Sequence, residues 1–145
     1  MIRLYNHSDK SELINLIRLN TPNYFHPSEE KDFIHYLDNE IEDYFVLEEK
    51  GKIIGTGGIN YFPEKKLARL SWDMVHPNYH GKGIGSEITK FRIDHIRKNT
   101  AINAIEVRTS QLVFKYYQKM GFELEKIEKD YWAKGFDLYQ MRRGS

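Results

Sequence analysis

The chain has no cysteine. Disulfides, thiolate metal sites and a cysteine nucleophile are thereby excluded, and the composition suits a reducing compartment. Long apolar runs are missing too. Nothing approaches the ~20 apolar residues of a membrane-spanning helix, and the opening Met1-Ile2-Arg3-Leu4-Tyr5 lacks a signal-like core. The expected location is cytoplasmic, with no membrane partner. Neither sign of charge is in excess: 22 Lys and Arg stand against 21 Asp and Glu, a formal +1. That balance gives no drive toward nucleic acid. Without repeats, low-complexity tracts or linkers, the 145 residues read as one domain. Residues 1–143 are assigned to it and 144–145 to a tail, with Arg142 and Arg143 already read as unstructured.

What is abundant is aromatic: ten Tyr, eight Phe and two Trp. Most suit strands and core, but Tyr24 and Phe25, and again Tyr131 and Trp132, fall in expected loops. The remaining pattern alternates strand and helix signals. Ile2 to Tyr5 reads as a strand. Asp9 and Glu12 have capping-box spacing ahead of Leu13, Leu16 and Ile17. Ser28 is the expected cap of a second helix with Phe33, Tyr36 and Leu37 inside. Strands over 43–48, 53–60 and 67–75 are joined by turns at Glu49-Lys50-Gly51-Lys52 and Pro63-Glu64-Lys65. A helix to about Lys98 carries the stripe Ile84, Ile88, Phe91 and His95. A strand over 102–108 precedes a helix capped by Ser110, with Leu112, Val113, Tyr116, Tyr117 and Met120 inward and Phe114 outward as a hint of a partner surface. Gly121 then suits a left-handed C-cap, and strands over 123–128 and 136–141 close the chain. The order β-α-α-β-β-β-α-β-α-β-β predicts an α/β (α+β mixed) fold: a mostly antiparallel mixed sheet of about seven strands flanked by about four helices.

Between the third hairpin strand and the long helix stands His80-Gly81-Lys82-Gly83-Ile84-Gly85-Ser86. Closely spaced glycines let backbone N–H groups approach a ligand, and a helix start adds unpaired donors and a positive dipole end. Such a run suits a phosphate or diphosphate. Glycines there cost helix stability unless binding offsets it. Lys82 is either an added point charge or a solvated residue. A nucleotide P-loop would need G-x-x-x-x-G-K-S/T, which is absent. A dinucleotide fingerprint would need a third glycine where Ser86 stands, and further βαβ units where the chain has a terminal hairpin.

The segment Val75-His76-Pro77-Asn78-Tyr79-His80-Gly81-Lys82-Gly83-Ile84-Gly85-Ser86 resembles the pyrophosphate motif of the GNAT superfamily of acyl-CoA-dependent N-acetyltransferases: Gln or Arg, x, x, Gly, x, Gly or Ala. Tyr117-Gln118-Lys119-Met120-Gly121-Phe122 resembles that family's Y-x-K-x-G-F segment. The resemblance covers nearly the whole chain in element order. His80 stands where the family usually has Gln or Arg, and Ser110 where it often has Asn.

The resemblance implies an enzyme that moves an acetyl group from acetyl-CoA to a small-molecule or peptide primary amine by direct attack in a ternary complex. A non-catalytic acyl-CoA-binding module of the same fold is the alternative. Cofactor contacts are expected from Met74, Val75, His80, Gly81, Lys82, Gly83, Ile84, Gly85, Ser86 and Ser110. The pantetheine arm should lie like a strand against Met74 and Val75, with a backbone N–H near Val75 facing the thioester oxygen. Tyr117 is the implied proton donor to the departing thiolate, with Tyr116 beside it as a control. For the base, Asp73 is the first candidate, Glu106 and His26 are alternatives, and a water chain without a single base is the other option. Tyr24, Phe25, His26 and Trp132, from the two aromatic loops, are the expected acceptor-site residues. The alternative for these aromatics is core cover or a homodimer contact. His95 reads as a core histidine. His7, His26 and His35 lack ligand spacing, so no metal is expected.

Overall fold

The computed structural model describes residues 1–145. Eleven principal elements follow one another: β1 (Ile2–Leu4), α1 (Lys10–Leu19), α2 (Glu29–Asn39), β2 (Asp43–Glu49), β3 (Lys52–Phe62), β4 (Leu67–Val75), α3 (Ile84–Arg97), β5 (Ala104–Thr109), α4 (Phe114–Lys119), β6 (Glu123–Ala133) and β7 (Phe136–Gly144). The strands make one seven-stranded sheet in the order β1-β2-β3-β4-β5-β7-β6. All neighbours are antiparallel except β4 and β5. The expected architecture is therefore present. Strand alternation distributes the core over two faces. Tyr44 and Val46 of β2 join Leu13, Ile17, Phe33 and Leu37 of α1 and α2. On the opposite face Phe45 packs with Ile93 and Ile96 of α3 and Tyr117 of α4, and Leu47 with Ile88 of α3.

The β2–β3 turn has Lys50 and Gly51 at φ of 53° and 76°, the mirror-image turn that matches strand twist. Several local expectations are displaced. The capping box is made by Asn6 and Asp9 around a short 3-10 turn, and the Glu12 carboxylate instead accepts from Ile53 N–H at 2.7 Å. Ser28 makes no side-chain cap on α2; His26 opens that turn, its ring nitrogen accepting from Ser28 N–H at 3.1 Å and its own N–H donating to Glu29 Oε2 at 2.8 Å. Ser110 caps a turn over 111–113 rather than α4 itself, accepting from Leu112 N–H at 3.2 Å. That turn leaves Leu112 exposed, whereas Phe114 lies against Tyr139 with ring centroids 4.7 Å apart, so it is not an open partner surface. Strands β6 and β7 run past their expected ends. Ala104 pairs with Gly144 and Ile105 with Arg143, so residues 142–144 belong to the sheet rather than to a loose tail.

Helix α3 is the largest correction. Its buried side is Ile88, Thr89, Arg92, Ile93 and Ile96, while Phe91 is 37% exposed. His95 is not a core residue; it meets Asp43 at 3.3 Å at the surface. The true stripe runs i, i+4, i+8 through a fully buried arginine. Strand β3 accommodates it with Gly57, where an added Cβ would stand 2.8 Å from Arg92 Cζ. Gly57→Ala should therefore cost about 1–3 kcal/mol through overpacking, read as a lower urea midpoint. An unchanged midpoint would mean that the guanidinium can move aside.

Candidate active site

One irregularity in β4 creates the site. Opposite β3, Thr56 pairs with Met74 and Gly58 with Ser71, so β4 carries one extra residue between these pairs. Trp72 supplies it, at φ 49°. A bulge of this kind bends its strand and shifts the side-chain alternation. Ala68 and Leu70 face α3, and an unbroken strand would send residue 72 the same way. Instead Trp72 and Met74 join the α1/α2 cluster, and Asp73 turns toward α3. The parallel ladder with β5 stops at Leu70↔Val107, just before the bulge. Past that pair the β5-facing edge of β4 has no strand partner. A cleft of about 1020 Å³ opens there, lined by Ser71–Val75, Val107–Ser110 and the glycine loop.

The loop forms the cleft's far end. Gly81 and Gly83 have φ of 75° and 83°, with open space where a Cβ would point. The N–H groups of Gly81, Gly83, Ile84, Gly85 and Ser86 have no protein acceptor. These are the free donors of a helix start, gathered by left-handed glycines into an anion-binding concavity. The donor set thus fits a diphosphate. Lys82 is not on the cleft wall; its Nζ lies 5.5 Å from the centroid of the Tyr79 ring. His80 bonds Val75 O through Nε2 at 2.9 Å, and Asn20 Nδ2 reaches the same carbonyl at 3.1 Å. The Val75 carbonyl is therefore already engaged, which leaves only other backbone groups here for a ligand. Asn20, buried at the end of α1, gave no recognisable signal in the sequence.

At the cleft floor Arg92 is entirely buried and donates to Asp73 through both terminal nitrogens, at 2.6 Å each, and to Gly58 O at 3.0 Å. Burial opposes the Arg92 charge, but Asp73 more than compensates and holds its pKa above the ordinary value. Tyr117 donates its hydroxyl to Asp73 Oδ2. Burial, with the Asp73 charge next, pushes the Tyr117 phenol well above its ordinary pKa. Asp73 and Tyr117, chosen from distant parts of the chain, are thus brought together, and Arg92 is the partner that sequence reasoning missed. Tyr116 differs from its neighbour: its hydroxyl pairs with Thr89 Oγ1 at 2.9 Å. Ser110 and Ser86 both line the cleft, Ser86 donating weakly to Met120 Sδ at 3.8 Å.

The opposite wall is aromatic. Tyr24 meets the His80 ring edge-on at 5.3 Å, and Phe25 stacks on Trp72 at 6.1 Å. Trp132 donates Nε1 to Thr109 O at 3.1 Å. These three expected acceptor residues line the cleft, together with Phe136. His26 does not line it; its ring accepts from Ser28 N–H just ahead of α2 and rests against Phe136 at 5.8 Å. Glu106, the alternative base, is buried and paired with Arg69 at 2.7 Å. No group of three or more metal-type side chains gathers anywhere, and no helix is long and apolar enough to cross a membrane.

A bulge-split sheet with a free-amide cradle at the next helix start defines an α/β protein whose cleft suits a phosphate-bearing ligand. The comparisons narrow this class. The chain belongs to the Acetyltransferase (GNAT) family, whose model matches residues 11–122. It is similar to the amino-acid acetyltransferase of Actinobacillus pleuropneumoniae serotype 3, with 30% identity over 135 residues, 88% of this chain and 28% of that protein. The chain thus spans little more than a quarter of that relative's length. In fold it resembles the ribosomal-protein-S18-alanine N-acetyltransferase of Escherichia coli, at TM-score 0.82 and 18% identity over 99% of this chain and 92% of the other. It also resembles the N-acetylglutamate synthase of Neisseria gonorrhoeae, solved with coenzyme A and N-acetyl-glutamate, at TM-score 0.77 and 21% identity over 99% of this chain and 34% of that one.

Proposed function

We propose that this chain is an N-acetyltransferase that carries an acetyl group from acetyl-CoA to a primary amine held in the same cleft. The observation that carries the reading is the row of five unpaired N–H groups at Gly81 and Gly83–Ser86, continuous with the unpartnered edge of β4 and ending at Tyr117. The diphosphate of the cosubstrate suits the loop, and the amide groups of its pantetheine arm suit the open strand edge. The thioester then falls near the bulge, between Tyr117 and the aromatic wall.

In the reaction, the amine nitrogen attacks the thioester carbon, the C–S bond breaks and CoA leaves as a thiolate. The nitrogen gives up two protons in total, and one of them is matched by protonation of the sulfur. Both reactants lie side by side, so no covalent enzyme intermediate is required. Tyr117 rests as a phenol across the working pH range and serves as the donor to the sulfur: its single O–H turns from Asp73 Oδ2 to the thiolate, and the phenolate so formed takes back, through cleft water, one of the two protons the nitrogen releases. Asp73 acts here as a positioning residue, because Arg92 and Tyr117 already occupy both of its oxygens. Proton removal from the ammonium is assigned to water in the cleft rather than to Asp73.

Thiol release from acetyl-CoA, followed over a panel of amines, tests the reading. Turnover on at least one amine is expected; tight CoA binding without turnover on any of them would favour the non-catalytic module. The loop has its own test. Gly83→Ala should weaken CoA binding roughly tenfold by calorimetry, since its Cβ would enter the space that the phosphates use. Gly135→Ala is the control: it carries a similar φ, 84°, in the β6–β7 turn and also has open space at its Cβ. Equal loss in both variants would trace the effect to backbone strain and not to the ligand.

A further inference from the structure

Three arginines and no lysine line the cleft. Arg92 is neutralised by Asp73 and Arg69 by Glu106. Arg108 has no carboxylate partner. Its single hydrogen bond runs from Nη2 to the Tyr131 hydroxyl at 2.7 Å, and its Nε is buried without any acceptor. Leaving a buried charged donor unmet is costly. The side chain is nevertheless held in place, with Cζ 5.0 Å from the Tyr131 ring centroid and 5.7 Å from that of Trp132. Trp132 is fixed in turn by its bond to Thr109 O. A guanidinium fork stacked in this way is organised in advance for a planar, two-oxygen anion.

Its place in the fold matters as much. Arg108 follows Val107, the last residue of β5 paired with β4, so it stands where the two strands part. The cleft is also lined by Glu29, Glu40 and Glu42, none of which has a cationic partner, although Glu29 accepts from His26 N–H and Glu42 from Asn60 Nδ2 and Tyr61 N–H. The cleft thus offers one cation without a carboxylate partner and three carboxylates without a cationic partner, a pattern complementary to a zwitterion. A phosphate dianion would meet too much negative charge there, and a simple alkylamine would leave Arg108 unmet.

Resting on the transferase reading above, we propose that Arg108 anchors a carboxylate of the acceptor, which makes the acceptor a free amino acid rather than a peptide amine or a simple amine. The cleft glutamates receive the ammonium end, and the carboxylate docks on the stacked guanidinium.

The experiment compares the twenty proteinogenic L-amino acids with their α-amides, using wild type, Arg108→Met and Arg108→Lys. Wild type should prefer the best acid over its amide by ten- to hundredfold in kcat/KM. Arg108→Met should abolish that preference by raising KM for the acid while KM for acetyl-CoA stays unchanged, and Arg108→Lys should restore part of it. A merely structural arginine would slow acids and amides alike. Equal use of acids and amides by wild type, or a preference that survives Arg108→Met, overturns the anchor and leaves the transferase reading standing. If neither series turns over, calorimetry of the same compounds on the CoA-loaded protein decides. Arg108-dependent binding of acids then sustains the anchor and overturns the transferase reading, and binding of neither overturns both.

Discussion

Replacing Tyr117 by phenylalanine is expected to lower kcat by about a hundredfold or more, within the ~10²–10⁴ range of positioned proton donors. Acetyl-CoA affinity should stay near that of wild type. The phenol oxygen is the one atom removed, and it touches Asp73 at the cleft floor, away from the phosphate loop. Asp73 keeps both of its bonds from Arg92, so the stability cost is that of one hydrogen bond, about 1 kcal/mol. Tyr116→Phe serves as the control. Its hydroxyl pairs with Thr89, and its ring meets that of Tyr117 edge-on at 5.0 Å, so packing changes around the pair are matched. Stopped-flow release of thiol, with direct measurement of acetyl-CoA affinity, separates chemistry from binding. Unchanged kcat in Tyr117→Phe, or an equal loss in Tyr116→Phe, would remove Tyr117 from the reaction. The pH profile gives a second check. Burial and the nearby Asp73 charge lift the phenol's titration well above its ordinary value, so Tyr117 should contribute no alkaline decline below pH ~10. The rate at subsaturating amine should instead rise with pH, by about tenfold per unit, until the acceptor ammonium is titrated.

The parts of the site that were legible in the sequence are those whose chemistry is local. Gly81 and Gly83 announce a left-handed turn, Ile84 onward announces a helix, and together they locate the anion cradle. Gly121 with Phe122 likewise marks the end of α4, where Phe122 N–H returns to Tyr117 O at 3.0 Å. The misread parts depend on the sheet. Arg92 carries no mark in the sequence because a charge is normally kept out of an apolar stripe, and only the bulge at Trp72 brings a carboxylate beneath it. The bulge itself has no sequence mark: tryptophan at positive φ is disfavoured, and it is held there by Phe25, Phe33 and Tyr36 around its ring. His95 was misplaced for the same reason in reverse. Once Arg92 takes the inner position, the helix turns by one residue and His95 reaches Asp43 at the edge. Tyr131 and Trp132, read as a loop, lie in the last residues of β6, where a second irregularity at Asp130, φ 55°, re-aims them around Arg108.

The same buried arginine carries the largest stability prediction. Arg92→Met should destabilise the protein by about 3–5 kcal/mol, the usual cost of removing one partner of a buried ion pair, and lower the melting temperature by roughly 10–15 °C. Methionine fills much of the arginine's volume, so the loss reports charge and hydrogen bonding rather than a cavity. What remains is Asp73 without its two N–H donors, Gly58 O without its partner at 3.0 Å, and Gly57 facing a looser contact. The pair is not replaceable by water from one side alone, because Arg92 is wholly inaccessible while the Asp73 side chain is 24% exposed. That asymmetry sets the order of the single variants: Arg92→Met leaves a carboxylate that water can reach, whereas Asp73→Asn leaves a wholly buried guanidinium without a counter-charge and should cost at least as much. Combining the two should recover part of the loss, since the unpaired carboxylate is then gone, and the non-additivity measures the pair directly. A deficit under 1 kcal/mol in Arg92→Met, or strict additivity with Asp73→Asn, would show that Asp73 is held by something else. The same measurement bears on catalysis. If Arg92 fixes Asp73 and Asp73 fixes the Tyr117 hydroxyl, then Arg92→Met assayed well below its melting temperature should lower kcat while leaving KM for acetyl-CoA in place, and Arg92→Met with Tyr117→Phe should be no slower than Tyr117→Phe alone.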